Sequence, residues 1–123
     1  MSEATLDNLV QTPGGHEDHR RKITDVTPRV KAFVVKNSPD LLLGNHYHAK
    51  MEELFYAVVG SFEIKFEDIR THEMRTYKVE PGESVRVPIY VAHLVIPDPS
   101  ARFLNIMEMD FEKSDIYPYK IEW

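Results

Sequence analysis

Apolar and polar positions alternate with a period of two over most of the chain, and no long stretch carries the 3.6-residue period of a helix. The clearest case is SFEIKFEDI (61–69), where Phe62, Ile64 and Phe66 fall on one face and Glu63, Lys65 and Glu67 on the other. RVKAFVVKN (29–37), rich in β-branched and aromatic residues, reads as an earlier strand that closes in a turn at NSPD (37–40). LLLGNHYH (41–48), ELFYAVV (53–59), MRTYKV (74–79), SVRVP (84–88), AHLVI (92–96) and ARFLNIMEM (101–109) continue the series. Between them lie Gly60, the polar link RTHE (70–73), EPGE (80–83) and Pro-containing turns. EKSDIYPYKIEW (112–123) has room for one short helical turn, limited by Pro118. Many short strands with frequent turn signals predict an all-β sandwich or small barrel. Residues 1–27, polar and punctuated by Gly and Pro, are expected to form an irregular N-terminal arm or lead-in; residues 28–123 form the single domain.

The composition agrees with a folded domain, at 42% apolar and 28% charged residues. There are no cysteines, which removes disulfides, thiolate metal sites and thiol nucleophiles from consideration. Net charge is −5, and the one basic cluster, HRRK (19–22), is flanked by Glu17, Asp18 and Asp25, so no nucleic-acid partner is expected. No apolar run approaches the ~20 residues needed to span a bilayer, and the first residues lack the pattern of a signal peptide. A soluble, cytoplasmic protein with no membrane partner is the expectation.

Strand parity gathers the candidate chemistry. His46 and His48 lie two apart, so they share a face, which parity extends back to Leu42 and Gly44. If Glu53 opens the next strand on that inner face, its companions are Phe55, Ala57 and Val59, while Glu52 faces out. Farther along, Val85 and Val87 alternate inward, Pro88 interrupts, and His93 restarts the phase with Val95. Imidazoles and a carboxylate on one apolar inner face suit a divalent metal, and His46, His48, Glu53 and His93 can close a four-ligand set. A one-residue slip would put Glu52 in place of Glu53. His16, His19 and His72 sit in polar segments and are expected on the surface, as is Arg86. Asn105, in phase with Phe103 and Met107, is a candidate inward polar group.

These two segments resemble the two motifs of the cupin superfamily. The first runs His, one residue, His, four residues, Glu, six residues, Gly, here His46, His48, Glu53 and Gly60. The second runs Gly, five residues, Pro, one residue, Gly, two residues, His, here Gly82, Pro88, Tyr90 in place of the glycine, and His93. Asp40 stands where a glycine precedes the first motif, and Pro97 where an asparagine often follows the second. The resemblance implies a double-stranded β-helix, the jelly-roll barrel, with His46, His48, Glu53 and His93 holding one divalent transition metal (zinc, nickel, manganese or iron). Some cupins use the same histidines as acid and base without metal, a role that would fall to His46 and His48.

A finer similarity, to single-domain cupins of sugar-nucleotide and capsular-polysaccharide metabolism, rests on GNHYH (44–48), ELFYAVVGSFEIKFED (53–68) and MDFEKSDIYPYKI (109–121). In those families a D-x-R-G strand precedes the barrel; EDHRRKITDV (17–26) matches it with Arg21 in place of the glycine. This implies a sugar or nucleotide-sugar ligand, isomerase or epimerase chemistry beside a carbonyl, and a homodimer. An iron dioxygenase and a non-catalytic sugar-binding or regulatory module use the same frame, and fold alone does not choose among them.

Overall fold

In the computed structural model, residues 6–7, 9–37 and 42–122 are described. The turn expected at NSPD lies, apart from Asn37, outside them.

Among the described residues eleven strands follow in chain order: β1 (Gly15–Glu17), β2 (Arg21–Thr27), β3 (Val30–Val35), β4 (Leu43–Tyr47), β5 (Glu53–Val59), β6 (Phe62–Asp68), β7 (Met74–Val79), β8 (Ser84–Val87), β9 (Val91–Pro97), β10 (Arg102–Met107) and β11 (Tyr117–Pro118). The expected helical turn is a single 3-10 turn at Lys113–Asp115. The strands form two antiparallel sheets, ordered β1-β2-β3-β10-β5-β8 and β11-β4-β9-β6-β7. This is the jelly-roll sandwich that the alternation and the two motifs predict. Two strands, β1 and β2, fall within the 1–27 lead-in, and β2 is hydrogen-bonded to β3 along its length.

The inward face of each strand carries the core. Phe55, Phe62, Ile64, Phe66, Val87, Val95 and Phe103 are buried between the sheets, each contributing about 1.5–3 kcal/mol relative to exposure. Phe103 stacks on Phe33 at 4.7 Å between centroids and meets Phe55 edge-on at 5.8 Å.

Parity fails in three places. Leu43, not Leu42, is the buried leucine before the histidines (8% against 51% exposed). The register of β4 on β9 jumps between Gly44 and His46, leaving Asn45 as an extra residue. Gly44 and Asn45 both have positive φ, +106° and +62°, and a Cβ on Gly44 would lie 2.7 Å from the His93 carbonyl oxygen. The bulge therefore resets the phase just before His46. Val59 is exposed where the β10–β5 register shifts. Strand β9 buries both faces, because Ala92 and Leu94 are covered by Ile121 and Tyr119 from the C-terminal segment.

β3 lies between β2 and β10, so both its edges are occupied. Among the described residues no helix is long and apolar enough to cross a membrane.

Candidate functional site

One end of the sandwich encloses a cavity of about 210 Å3. Its wall carries His46 from β4, His48 just beyond it, Glu53 from the start of β5 and His93 from β9. The ligand-type atoms of these four side chains all lie within 4.8 Å of one another. The imidazole centroids are 4.6 Å (His46–His93), 5.0 Å (His46–His48) and 5.9 Å (His48–His93) apart. All four residues selected by parity and spacing thus converge. Glu52 points away and forms a two-pronged ion pair with exposed Arg86. His16 and His72 are exposed, as expected.

Each member is held by a specific neighbour. Asn105 Nδ2 donates to Glu53 Oε2 at 2.8 Å, which fixes the carboxylate plane and leaves Oε1 facing the imidazoles. His48 Nδ1 donates to the backbone carbonyl of Asp115 at 2.9 Å, which turns Nε2 inward. Asp115 is itself buried, and its carboxylate accepts the backbone N–H groups of Ala49, Lys50 and Met51 at 3.0–3.2 Å. The 3-10 turn therefore clamps the β4–β5 loop that separates His48 from Glu53. Outer partners of this kind orient metal-binding imidazoles in many proteins. Sequence reasoning did not find Asp115, because its only sequence signal was an acid beside a predicted helical turn.

The electrostatics are those of a desolvated centre. Burial, then the adjacent His93 and His48, push His46 down to about 3. Burial likewise lowers His93. Burial opposes charge on His48 as well, but the Glu53 carboxylate and Asp115 overcome it and raise its pKa. Glu53 is also disfavoured by burial, yet His48, His93 and Asn105 hold it down at about 2. The cluster thus favours the charged forms of His48 and Glu53 and the neutral forms of His46 and His93.

Glu53 Oε1 is fully buried, and no donor reaches it with hydrogen-bond geometry. His48 Nε2 at 2.9 Å and His93 Nε2 at 3.4 Å are close but misdirected. A buried carboxylate oxygen facing a cluster of imidazoles fits a site built for a cation, since a buried charge is costly unless it is paired. Three nitrogens and one oxygen suit a divalent transition metal.

The model of the polysaccharide biosynthesis C-terminal domain family matches residues 16–110. The chain belongs to this family. Solved structures similar to this polysaccharide biosynthesis C-terminal domain include the capsular polysaccharide assembling protein CapF from Staphylococcus aureus, with a TM-score of 0.81 and 22% identity over 95% of the chain. They also include the 3,4-ketoisomerase QdtA from Thermoanaerobacterium thermosaccharolyticum in complex with TDP-4-keto-6-deoxyglucose (TM-score 0.64, 16% identity, 72% of the chain). The TDP-quinovose 3,4-ketoisomerase WlaRB from Campylobacter jejuni matches with TM-score 0.64 and 14% identity, also over 72% of the chain. The domain spans 34% of the CapF chain, 63% of QdtA and 68% of WlaRB. At these identities the likeness establishes the shared cupin fold. No curated protein sequence matches the chain.

Proposed function

We propose that this domain binds one divalent transition metal through His46, His48, Glu53 and His93 and acts on a sugar or nucleotide-linked sugar by isomerase- or epimerase-type chemistry. The observation that carries this reading is the convergence of His46, His48, Glu53 and His93, whose ligand-type atoms all lie within 4.8 Å of one another around the buried Glu53 carboxylate. When bound, the metal would supply Lewis-acid polarisation of a sugar carbonyl or hydroxyl. The chain's own residues do the rest: Asn105 and Asp115 hold the ligand atoms in place, and the apolar walls from Phe33, Phe55 and Phe103 exclude water. The metal-free acid/base alternative is less well supported. Abstracting a proton beside a carbonyl needs a base with a pKa near neutrality, whereas His46 is held at about 3. Glu53 and Asp115 raise His48 and favour its charged form, which is not the form that accepts a proton. The neighbours that bind TDP and a TDP-linked keto sugar support a sugar-nucleotide ligand.

The test is metal analysis of purified protein after repletion, beside His46→Ala and His93→Ala. About one equivalent in the wild type, lost in both variants, is expected. Wild type and variants alike without metal would refute the four-ligand reading. Bound iron with substrate-dependent oxygen uptake would replace the isomerase with a dioxygenase, and sugar binding without turnover across a substrate panel would make the domain a binding module.

We also propose a homodimer, formed through the outer face of the larger sheet. Val34, Tyr56, Val58 and Ile106 are exposed together there, on strands β3, β5 and β10 that are neighbours in the sheet. Arg102 and Glu108 flank this face at opposite ends of β10, so a two-fold axis lying in the interface, parallel to the sheet and perpendicular to β10, would set each against its opposite charge in the second copy. A monomer mass by sedimentation at micromolar concentration would sink this.

A further inference from the structure

The cavity has a second pole that the metal cluster does not use. Arg21, on β2, points inward beside Ile23 and lines the same cavity. An arginine on the inner face of a sandwich strand needs an explanation, and the ion pair it makes supplies only part of one. Its Nη1 meets Asp18 Oδ2 at 2.6 Å. Asp18 is held rigidly in turn, accepting the backbone N–H groups of Arg20 and Arg21 at 2.8 and 3.1 Å and contacting His16 Nε2 at 3.1 Å. The guanidinium is thereby fixed by one nitrogen, while its Nε is buried without a partner. A desolvated donor left unpaired costs about 1–3 kcal/mol, and such exceptions call for a functional or ligand-based reason.

Lys31, on the adjacent strand β3, adds a second cation to the same wall and sits 3.9 Å over the Phe111 ring. The acids that pair with these cations, Asp18 and Asp25, do not line the cavity. Among the described residues Glu53 is the one acid on the lining. Along the paired strands Arg21 stands opposite Val35, whereas Lys31 is paired with Asp25 and with Asn105, the partner of Glu53, so Lys31 lies on the side of the carboxylate–imidazole cluster and Arg21 marks the far pole. The cavity volume, about 210 Å3, is below the ~300–1,000 Å3 of sites for drug-sized ligands, which suits a single sugar unit better than a whole nucleotide.

We propose that Arg21 receives an oxyanion group carried by the sugar whose opposite end lies at the His46–His48–Glu53–His93 cluster. The planar fork of a guanidinium, already oriented by Asp18, matches a phosphoryl or carboxylate group through paired N–H donors. This rests on the reading of the cavity as a sugar site, and it makes Arg21 a specificity-determining residue in place of the glycine expected in related sequences.

The experiment is calorimetric titration of wild type, Arg21→Gln and Arg21→Lys with glucose 1-phosphate, glucuronate and glucose, with metal content measured on every sample. Wild type is expected to bind one of the anionic sugars at least tenfold more tightly than glucose, and the tighter of the two identifies the oxyanion. Arg21→Gln should lose about tenfold for that ligand and nothing for glucose, while Arg21→Lys retains part of the gain. Equal binding of charged and neutral sugars by the wild type overturns the proposal, as does undiminished binding by a folded Arg21→Gln. If Arg21→Gln fails to fold, the decision passes to Arg21→Lys and to salt: wild-type binding that does not weaken between 50 and 500 mM salt (both roughly set by the screening lengths) overturns it. Arg21-dependent binding in protein that takes up no metal would refute the proposed function and leave this inference standing.

Discussion

Asp115→Ala tests how the site is held. The wild-type carboxylate accepts three backbone N–H groups of the β4–β5 loop from a buried position. After truncation, the amides of Ala49 and Lys50 can turn to water, since both residues are at least partly exposed, but Met51 is buried and its N–H stays unpaired. One unsatisfied buried donor costs about 1–3 kcal/mol, and losing charged acceptors for the other two adds about 1 kcal/mol after resolvation. The expected destabilisation is about 3 kcal/mol, a fall in Tm on the order of 10 °C for a domain this size. Urea and thermal unfolding followed by circular dichroism measure it. The same variant should bind metal about 10–100-fold more weakly, because the loop that brings His48 Nδ1 to the Asp115 carbonyl is no longer fixed. A variant that melts within a degree or two of wild type with unchanged metal affinity would show that the loop holds its own shape, and the positioning role of Asp115 would be wrong.

Asn105→Asp places a second carboxylate beside Glu53 Oε2; like charges in a buried site should destabilise the metal-free protein by about 2 kcal/mol or more at neutral pH, and added metal should recover much of the loss, as read by melting with and without chelator. Gly44→Ala forces a side chain into positive φ and against the His93 carbonyl, so we expect insoluble protein or a loss of about 3 kcal/mol, whereas Asn45→Gly is expected to be mild in the same melt. Asp18 gives a pH signature. Burial disfavours its charge, but the amides of Arg20 and Arg21, His16 and the Arg21 guanidinium hold its pKa well below the ordinary 3.8. A lowered folded-state pKa adds stability above the unfolded value, near 4, and this is lost as pH falls through the folded value. The stability gap between wild type and Asp18→Asn should therefore be largest at pH 5–7 and shrink below about pH 4; a gap constant down to pH 2 by urea titration would contradict the assignment.

The strand pattern made most of this molecule readable from its residues. A period of two, intact from Phe62 to Phe66, needs no knowledge of neighbours, and it carries from β4 to β9 because each strand faces the same core. His46, His48, Glu53 and His93 were found that way, with Asn105 behind them. What failed was whatever a bulge or a distant segment decides. Leu42 was placed inward because nothing in LLLGNH says that Gly44 and Asn45 share one pairing position. Glu67 reads as an outward, solvated acid, yet it is 8% exposed, since Tyr119 and His72 close over it. The signal for that cover was present in VAHLVIP, an apolar run too continuous for a strand with one wet face. Asp115 acts across the fold on groups remote in sequence, and a residue's type gives no hint of a partner 64–67 positions away.

The C-terminal segment has a temporal consequence. It crosses the smaller sheet, with Tyr119 donating to Glu67 and to the Asn45 carbonyl and Ile121 sealing Ala92 and Leu94, and on the way it delivers Asp115 to His48. During synthesis all four metal-ligand candidates leave the ribosome before residue 115 does. A nascent chain thus carries every donor but not the brace that aims them, so tight loading of the centre has to wait until Asp115 has emerged.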